Sequence, residues 1–250
     1  MVTVSLISHT HGSQILSLLN KLNLLCPQHV RHVILTINVP ELELTVALQS
    51  LNWNFELTNV FNRVPKGFGA NHNAAFEIAK TEYFCVINPD IDFSEDPFPG
   101  LISCLQQPLI GCSFPVQMDE SGHIQDYARR LPSPSALLAR YLFPGSRKPI
   151  LEKPDWVNGA FMLFSSKVFG QLHGFDDRYF MYCEDVDICI RLRCSGYELG
   201  QTDVSVTHPA HRNSRVKLQH LFWHISSLVR LWCSAPYRRF LLTESGGRDA

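Results

Sequence analysis

Four groups of residues in this 250-residue chain have the types and spacing to do chemistry. In Asn88-Pro89-Asp90-Ile91-Asp92, two carboxylates stand two residues apart and could face one hard cation. Mg²⁺ and Mn²⁺ favour oxygen ligands and commonly share them with substrate phosphates. The same residues also make an ordinary turn, since Asn-Pro-Asp suits a tight reversal. In Tyr179-Phe180-Met181-Tyr182-Cys183-Glu184-Asp185-Val186-Asp187, three acids follow an aromatic run. A carboxylate held beside aromatic walls could serve as a general base. Helix capping is the competing explanation, because acids in a first turn favour the macrodipole.

The other two groups are less specific. Asn62-Arg63-Val64-Pro65-Lys66-Gly67-Phe68-Gly69-Ala70-Asn71-His72-Asn73 sets two glycines and small polar residues before a helix. Backbone N–H groups and the helix dipole could receive an anion there, with Arg63 and Lys66 adding charge. The stretch lacks the spacing of a dinucleotide fingerprint or a P-loop, and a left-handed turn explains it equally well. In Val204-Ser205-Val206-Thr207-His208-Pro209-Ala210-His211, His208 could complete a metal site or bind phosphate. A lone histidine more often serves the core or the surface.

The order of elements needed to position these groups is regular in the first half. Val2 to Ile7 is β-rich, and His11-Gly12-Ser13 opens a helix with Ile15, Leu18, Leu19 and Leu22 on one face. Strands follow over Val30–Ile37, Trp53–Val60 and the wholly apolar Tyr83–Ile87. Between them lie a helix from Pro40-Glu41 through Leu48 and one after Gly69-Ala70-Asn71 carrying Ala74, Ala75, Ile78 and Ala79. This alternation implies βαβ units and a mostly parallel sheet, covered on both faces where strands are continuously apolar. Ligands of such sheets gather beyond the carboxyl ends of the strands, where Ser8, Asn38, Asn62 and Asp90 fall.

The second half is less regular. Pro and Gly punctuate Phe93 to Gly122, and a helix is expected over Ser135–Leu142. Asp155–Phe164 reads as a strand, with Gly159-Ala160 inside it marking close approach of ligand or backbone. Glu184–Ser195 reads as a helix ended by Gly196, and a last helix runs from Arg215 to Cys233. The expected organisation is one domain over 1–212 and a C-terminal helical extension over 213–250.

Apolar residues make up 45% and charged residues 18%, which fits a compact fold and not disorder. A net charge of −1 gives no reason to expect nucleic acid as a partner. The eight cysteines include no CxxC pair, so reduced structural thiols in a cytoplasmic setting are expected. Met1 to Ile7 lacks a basic leader, so no signal peptide is expected. No apolar run reaches the length of about 18 residues that a membrane-spanning helix needs. Leu218–Phe240 mixes Leu221, Phe222, Trp223, Leu228, Leu231 and Trp232 with Arg230, Arg238 and Arg239. Such a helix could pack on the domain or lie peripherally on a membrane.

Taken in order, several of these pieces resemble family 2 of the inverting GT-A glycosyltransferases, particularly its bacterial rhamnosyltransferase-like members. The matching residues are Asn62 with Gly67-Phe68-Gly69-Ala70-Asn71, Asn88-Pro89-Asp90, and Trp156-Val157-Asn158-Gly159-Ala160. Gly174-Phe175-Asp176, Phe180-Met181-Tyr182 and Glu184-Asp185-Val186-Asp187 follow, with His208 and Ser214 fitting a closing His-and-Ser segment. The resemblance spans residues 2 to 230. It implies an α/β GT-A fold, a Rossmann-like, mostly parallel sheet flanked by helices, with a C-terminal helical extension.

It also implies site roles. Asp90 matches the second acid of a DxD-type motif and would hold a divalent cation, Mg²⁺ or Mn²⁺. Asn88 replaces the first acid, which Asp92 or His208 could make good. Asp185 matches the catalytic base, Glu184 an orienting acid, and Asp187 a support for the helix. The donor, a dTDP- or UDP-sugar, would be held by Ser8, Thr10, Asn38, Asn62, Lys66, Gly67, Asn71, Asn88 and Gly159. Thr36-Ile37-Asn38-Val39-Pro40-Glu41 lies where the family usually carries an acid or an Asp-Asn pair to read base and ribose, so the base stays open. Gly122 to Pro132 looks like the acceptor-side segment, with Arg129, Arg130 and Trp156 meeting a glycan or lipid-linked acceptor.

The implied activity is inverting transfer of a sugar, rhamnose by resemblance, to an acceptor hydroxyl in bacterial surface-polysaccharide synthesis. It would take place in the cytoplasm or on the inner face of the membrane. Two rivals stand beside it. One is a non-catalytic sugar-nucleotide or glycan-binding relative of the same fold. The other is a nucleotidyltransferase, disfavoured by Glu184-Asp185 and by the lack of a glycine-rich N-terminal phosphate loop.

Overall fold

A computed structural model describes residues 1–131, 153–209 and 218–247. Its central sheet takes the order β3-β2-β1-β4-β8-β5-β9. The strands are β1 (Val2–Ser8), β2 (Val30–Ile37), β3 (Glu56–Phe61), β4 (Tyr83–Ile87), β5 (Ile110–Met118), β8 (Phe161–Ser165) and β9 (Glu198–Thr207). A two-stranded ribbon pairs β6 (Ala128–Arg129) with β7 (Trp156–Val157). The helices are α1 (Gly12–Leu25), α2 (Leu42–Gln49), α3 (Phe68–Phe76), α4 (Phe98–Leu105), α5 (Ser166–Gln171), α6 (Glu184–Cys194), α7 (Leu218–Cys233) and α8 (Ala235–Gly247). The sheet is mostly parallel and flanked by helices, as the alternation of elements implied; β8 alone pairs antiparallel with its neighbours β4 and β5.

Strand alternation sorts side chains into two cores. On one face Val2, Val4, Leu6, Tyr83, Cys85, Ile87, Phe161 and Leu163 meet α1, α2 and α4. On the other, Ile34, Phe84, Val86, Met162 and Phe164 meet α3 and α5 to α8. Each large apolar side chain buried in this way contributes about 1.5–3 kcal/mol. β1 turns hydroxyls to that second face, where Ser5 Oγ hydrogen-bonds His72 Nδ1 at 2.8 Å. Burial pulls the His72 pKa down to about 3, so its ring is neutral.

Strand register builds the working rim. Ser8 lies opposite Ile37, so β1 and β2 end together. Because β8 runs backwards, its first residues reach the rim where β4 ends, and Asn88 N–H donates to Ala160 C=O at 2.8 Å.

Several local expectations need correction. The third strand starts at Glu56, not Trp53, because Asn54 N–H is taken by Asn23 Oδ1 at 2.6 Å instead of a strand partner. Helix α3 starts at Phe68, so Gly69-Ala70-Asn71 lies inside it instead of before it, and it stops at Phe76. Ile78 and Ala79 lie in a tightened turn, with N–H groups bonded to Ala75 and Phe76 carbonyls three residues back. Asp155–Phe164 is not one strand: the chain leaves β7, breaks at Asn158-Gly159-Ala160 and enters the main sheet as β8. The punctuated stretch after Phe93 contains α4 and β5, and a second C-terminal helix, α8, follows α7. The expected helix at Ser135–Leu142, Ser214 and the start of the last helix at Arg215 lie outside the described residues.

Candidate active site

Helix α6 presents the acids, and the turn before it is conformationally unusual. Tyr182 and Cys183 have φ of +72° and +67°, a left-handed geometry that costs L-residues energy. Contacts from two sides hold it. Phe68 N–H donates to Phe180 C=O at 3.0 Å, while Ser227 Oγ donates to Met181 C=O at 2.9 Å. Tyr182 Oη also hydrogen-bonds His220 Nδ1 at 2.9 Å.

The turn delivers Asp185 to the rim. Its Oδ1 accepts from Val186 N–H at 2.8 Å and its Oδ2 from Gly159 N–H at 3.3 Å. Burial pushes the Asp185 pKa up, against the pull of those amides and the Arg129 charge. Glu184 is only 7% exposed, and its Oε2 has no hydrogen-bond partner. Burial and then the neighbouring Asp185 hold it well above the usual carboxylate range. A half-buried carboxylate with a raised pKa suits proton abstraction near neutral pH. Asp187 is employed differently: its Oδ2 pairs with Arg191 Nε at 2.6 Å. Arg191 also caps the Leu172 and Gly174 carbonyls, at 2.6 and 2.8 Å.

A backbone bridge assembles the Asp90 end. Asp92 N–H donates to Thr207 C=O at 2.8 Å and Thr207 N–H returns to Asp92 C=O at 2.7 Å. The end of β9 is thereby pinned over the turn, leaving His208 Nε2 3.5 Å from Asp90 Oδ1. Burial would raise the Asp90 pKa, but the His208 hydrogen bond and charge, a backbone amide and His11 outweigh it, and the net direction is down. His208 Nδ1 is buried without a hydrogen-bond partner. The Asp92 side chain turns to an ion pair with Lys21 Nζ. Among the described residues, no three His, Cys, Asp or Glu side chains converge on one point. Asp90 and His208 still fit a divalent cation as a mixed O,N pair, since such ions take one or two protein carboxylates and complete their shell with phosphate and water.

On the other side of the rim, Ser8 Oγ donates to Glu41 Oε1 at 2.6 Å, and Thr10 N–H donates to the same oxygen at 3.0 Å. Thr10 itself is left-handed, with φ +66°. Sequence reasoning did not single out Glu41. Its signal was an acid just after β2, displaced three residues from Asn38. Three amides form a second knot: Asn62 Nδ2 donates to Asn38 Oδ1 (2.8 Å) and to Asn71 Oδ1 (2.7 Å). Asn38 grips the Lys66 peptide at both ends, accepting from its N–H at 2.9 Å and donating to its C=O at 3.1 Å. The Lys66 side chain remains exposed. The adjacent glycines serve close packing: a Cβ on Gly67 would stand 2.5 Å from Phe180 O, and one on Gly69 2.7 Å from Phe175 Cβ.

The β6–β7 ribbon carries the expected acceptor-side residues. Arg129 lies over the Trp156 ring at 5.2 Å and pairs with Asp126 at 2.9 Å. Arg130 reaches buried Asp155 at 3.4 Å, which Arg193 also holds at 2.9 Å. Trp156 Nε1 donates to Arg130 C=O at 3.0 Å. Asn158, at the break, pairs amide to amide with Gln117 at 2.7 and 2.9 Å. Asp185, Gly159, Arg129 and Trp156 are thus linked around one edge, while Asp90, His208 and Asn88 gather beyond β4.

No protein-family model matches the chain. It is 28% identical to the rhamnosyltransferase WbbL of Escherichia coli K12 over 251 aligned residues, 92% of each chain. It is 29% identical over 202 residues to the N-acetylglucosaminyl-diphospho-decaprenol L-rhamnosyltransferase of Mycobacterium tuberculosis, covering 71% of this chain and 66% of that one. The mannosyltransferase PcManGT of Pyrobaculum calidifontis, solved with GDP-Man and Mn²⁺, matches at a TM-score of 0.65. That match has 16% identity and spans 92% of this chain and 64% of the mannosyltransferase, so it is a likeness of fold. Along nearly its whole length this chain is thus similar in sequence to rhamnosyltransferases, and its fold is that of the GT-A glycosyltransferases.

Proposed function

We propose that the protein transfers a sugar from a nucleoside-diphosphate donor, dTDP- or UDP-linked, to a hydroxyl of a glycan or lipid-linked acceptor, with inversion. The observation that carries this reading is Asp185. It is a half-buried carboxylate with a raised pKa, aimed to the rim by Gly159 N–H and standing on the same edge as Arg129. In the proposed step Asp185 takes the acceptor hydroxyl proton while that oxygen attacks the anomeric carbon. The bond from that carbon to the diphosphate breaks on the opposite face, and the nucleoside diphosphate leaves. Glu184, buried beside it with a raised pKa, orients acceptor or donor. Ser8, Thr10, Asn38, Asn62, Lys66, Gly67, Asn71, Asn88 and Gly159 line the donor side, and Arg129, Arg130 and Trp156 the acceptor side.

Asp90 and His208 would hold a divalent cation, Mg²⁺ or Mn²⁺, with Asp92 close by in sequence. When bound, that ion supplies positive charge against the leaving diphosphate. Rhamnose as the sugar and a polyprenyl-diphosphate acceptor are supported by the names of the relatives. The eight free thiols fit a reducing, cytoplasmic setting.

The test is product analysis after incubation with dTDP- and UDP-sugars, an acceptor and Mn²⁺. Release of nucleoside diphosphate with a glycosylated product is expected. Pyrophosphate release would indicate a nucleotidyltransferase, and donor binding without release a non-catalytic relative.

A further inference from the structure

Helix α7 is amphipathic twice over. Ser227, Leu228 and Leu231 face the domain and are buried. On a different arc Leu221, Phe222, Ile225 and Val229 are all more than half exposed, Phe222 at 69%. At 3.6 residues per turn these four fall within an arc of about 100°. Single exposed apolar residues are ordinary, but a contiguous arc of four large ones marks an interaction face. The two helices are basic on balance: residues 218–247 hold Arg230, Arg238 and Arg239 against Glu244 alone, in a chain of net charge −1. All three arginines are exposed, and Leu242 on α8 is 76% exposed.

We infer that the exposed face of α7, with the α8 arginines, docks on the surface of an anionic lipid bilayer. An exposed apolar arc on a helix pair that carries three exposed arginines against one acid is complementary to acyl chains beneath negative headgroups. No described helix is long and apolar enough to cross a membrane, so the contact lies in the interface plane. The placement also connects to the site. Ser227 and His220 bond Met181 and Tyr182, in the turn that leads into Glu184 and Asp185. A bilayer-docked α7 holds that turn on its opposite side, one helix diameter (~10 Å) from the lipid surface, from which a lipid-linked hydroxyl would reach the base. That last connection rests on the proposed transfer; the docking face itself does not.

The test is co-sedimentation with phosphatidylcholine vesicles, with and without phosphatidylglycerol, in the absence of donor and acceptor. The protein should partition onto the phosphatidylglycerol vesicles, less so as salt rises, and only weakly onto phosphatidylcholine alone. Phe222→Ser with Ile225→Ser should lower partitioning by about tenfold or more. Arg238→Gln and Arg239→Gln should each lower it about fivefold. Unchanged unfolding midpoints confirm that these exposed variants fold. Absence of partitioning by the unmodified protein overturns the inference. So does a dimer that the Phe222/Ile225 variant dissociates without any change in lipid binding, since the face would then join two copies. Because no substrate is present, a negative result here leaves the transfer reaction standing, and failed transfer leaves the vesicle result standing.

Discussion

Replacing Gly67 with alanine asks whether the donor-side loop and the base-bearing turn are mechanically joined. The new Cβ would stand 2.5 Å from the Phe180 carbonyl oxygen, 2.8 Å from its Cα and 3.0 Å from its carbonyl carbon. Carbon–oxygen contacts settle at about 3.3–3.6 Å, so two backbones must part by close to 1 Å. Neither is a flexible side-chain end, and the Phe68 N–H bond to Phe180 would stretch with them. Overpacking of this kind costs about 1–3 kcal/mol. Phe180 connects to Asp185 through the left-handed Tyr182-Cys183 pair, so the displacement passes to the base. A misplacement near 1 Å can cost about 10²-fold in rate. Urea unfolding and the steady-state rate of nucleoside-diphosphate release measure the two effects. Gly196→Ala is the comparison. With φ +85° and open space around it, it should lose about 1 kcal/mol and no turnover. Wild-type turnover and stability in Gly67→Ala would refute the coupling.

Other consequences follow from the same contacts. Glu184→Gln should raise the melting temperature at neutral pH. The folded pKa of Glu184 is raised, so its contribution is fullest below the unfolded carboxylate pKa and is lost as pH rises toward the folded value. The gain should therefore shrink as melting is measured at progressively lower pH. For Asp185, kcat/KM should fall on acidification with a limb above the ordinary carboxylate range, because its pKa is raised and the ionised form is required. His208→Ala should raise the Mn²⁺ concentration for half-maximal activity by about 10–100-fold, read from a metal titration after chelation. Asp187→Ala leaves Arg191 without its buried partner and should cost about 3–5 kcal/mol in urea unfolding, with donor KM unchanged.

Much of the fold was legible because its signals are local. Tyr83–Ile87 and Val30–Ile37 begin and end where the apolar pattern places them, and Ile15, Leu18, Leu19 and Leu22 are buried together on α1. The misreadings arise from long-range partners. Asp155–Phe164 looks continuous until Tyr127 C=O captures Asn158 N–H and Gln117 captures its side chain. Asp90 and Asp185 stood out as motifs, but the approach of His208 to Asp90 depends on the Asp92–Thr207 bridge across 115 positions of sequence. Glu41 was passed over because its role emerges only when Ser8 and Thr10 fold onto it. The glycines at 67 and 69 read equally as an anion loop or a left-handed turn; neither has a positive φ, and what they meet is the backbone and side chains of the 175–180 segment.

One substitution tests most directly whether Asp185 is the base of a glycosyl transfer. Asp185→Asn is nearly isosteric and can keep its one oxygen on the Val186 amide, giving up the longer Gly159 bond, while it cannot take a proton from an acceptor hydroxyl. Turnover and donor affinity measured on the same preparation decide the matter. In Asp185→Asn, kcat should fall by about 10²–10⁴-fold with donor binding essentially unchanged. Near wild-type turnover in the variant would contradict that role.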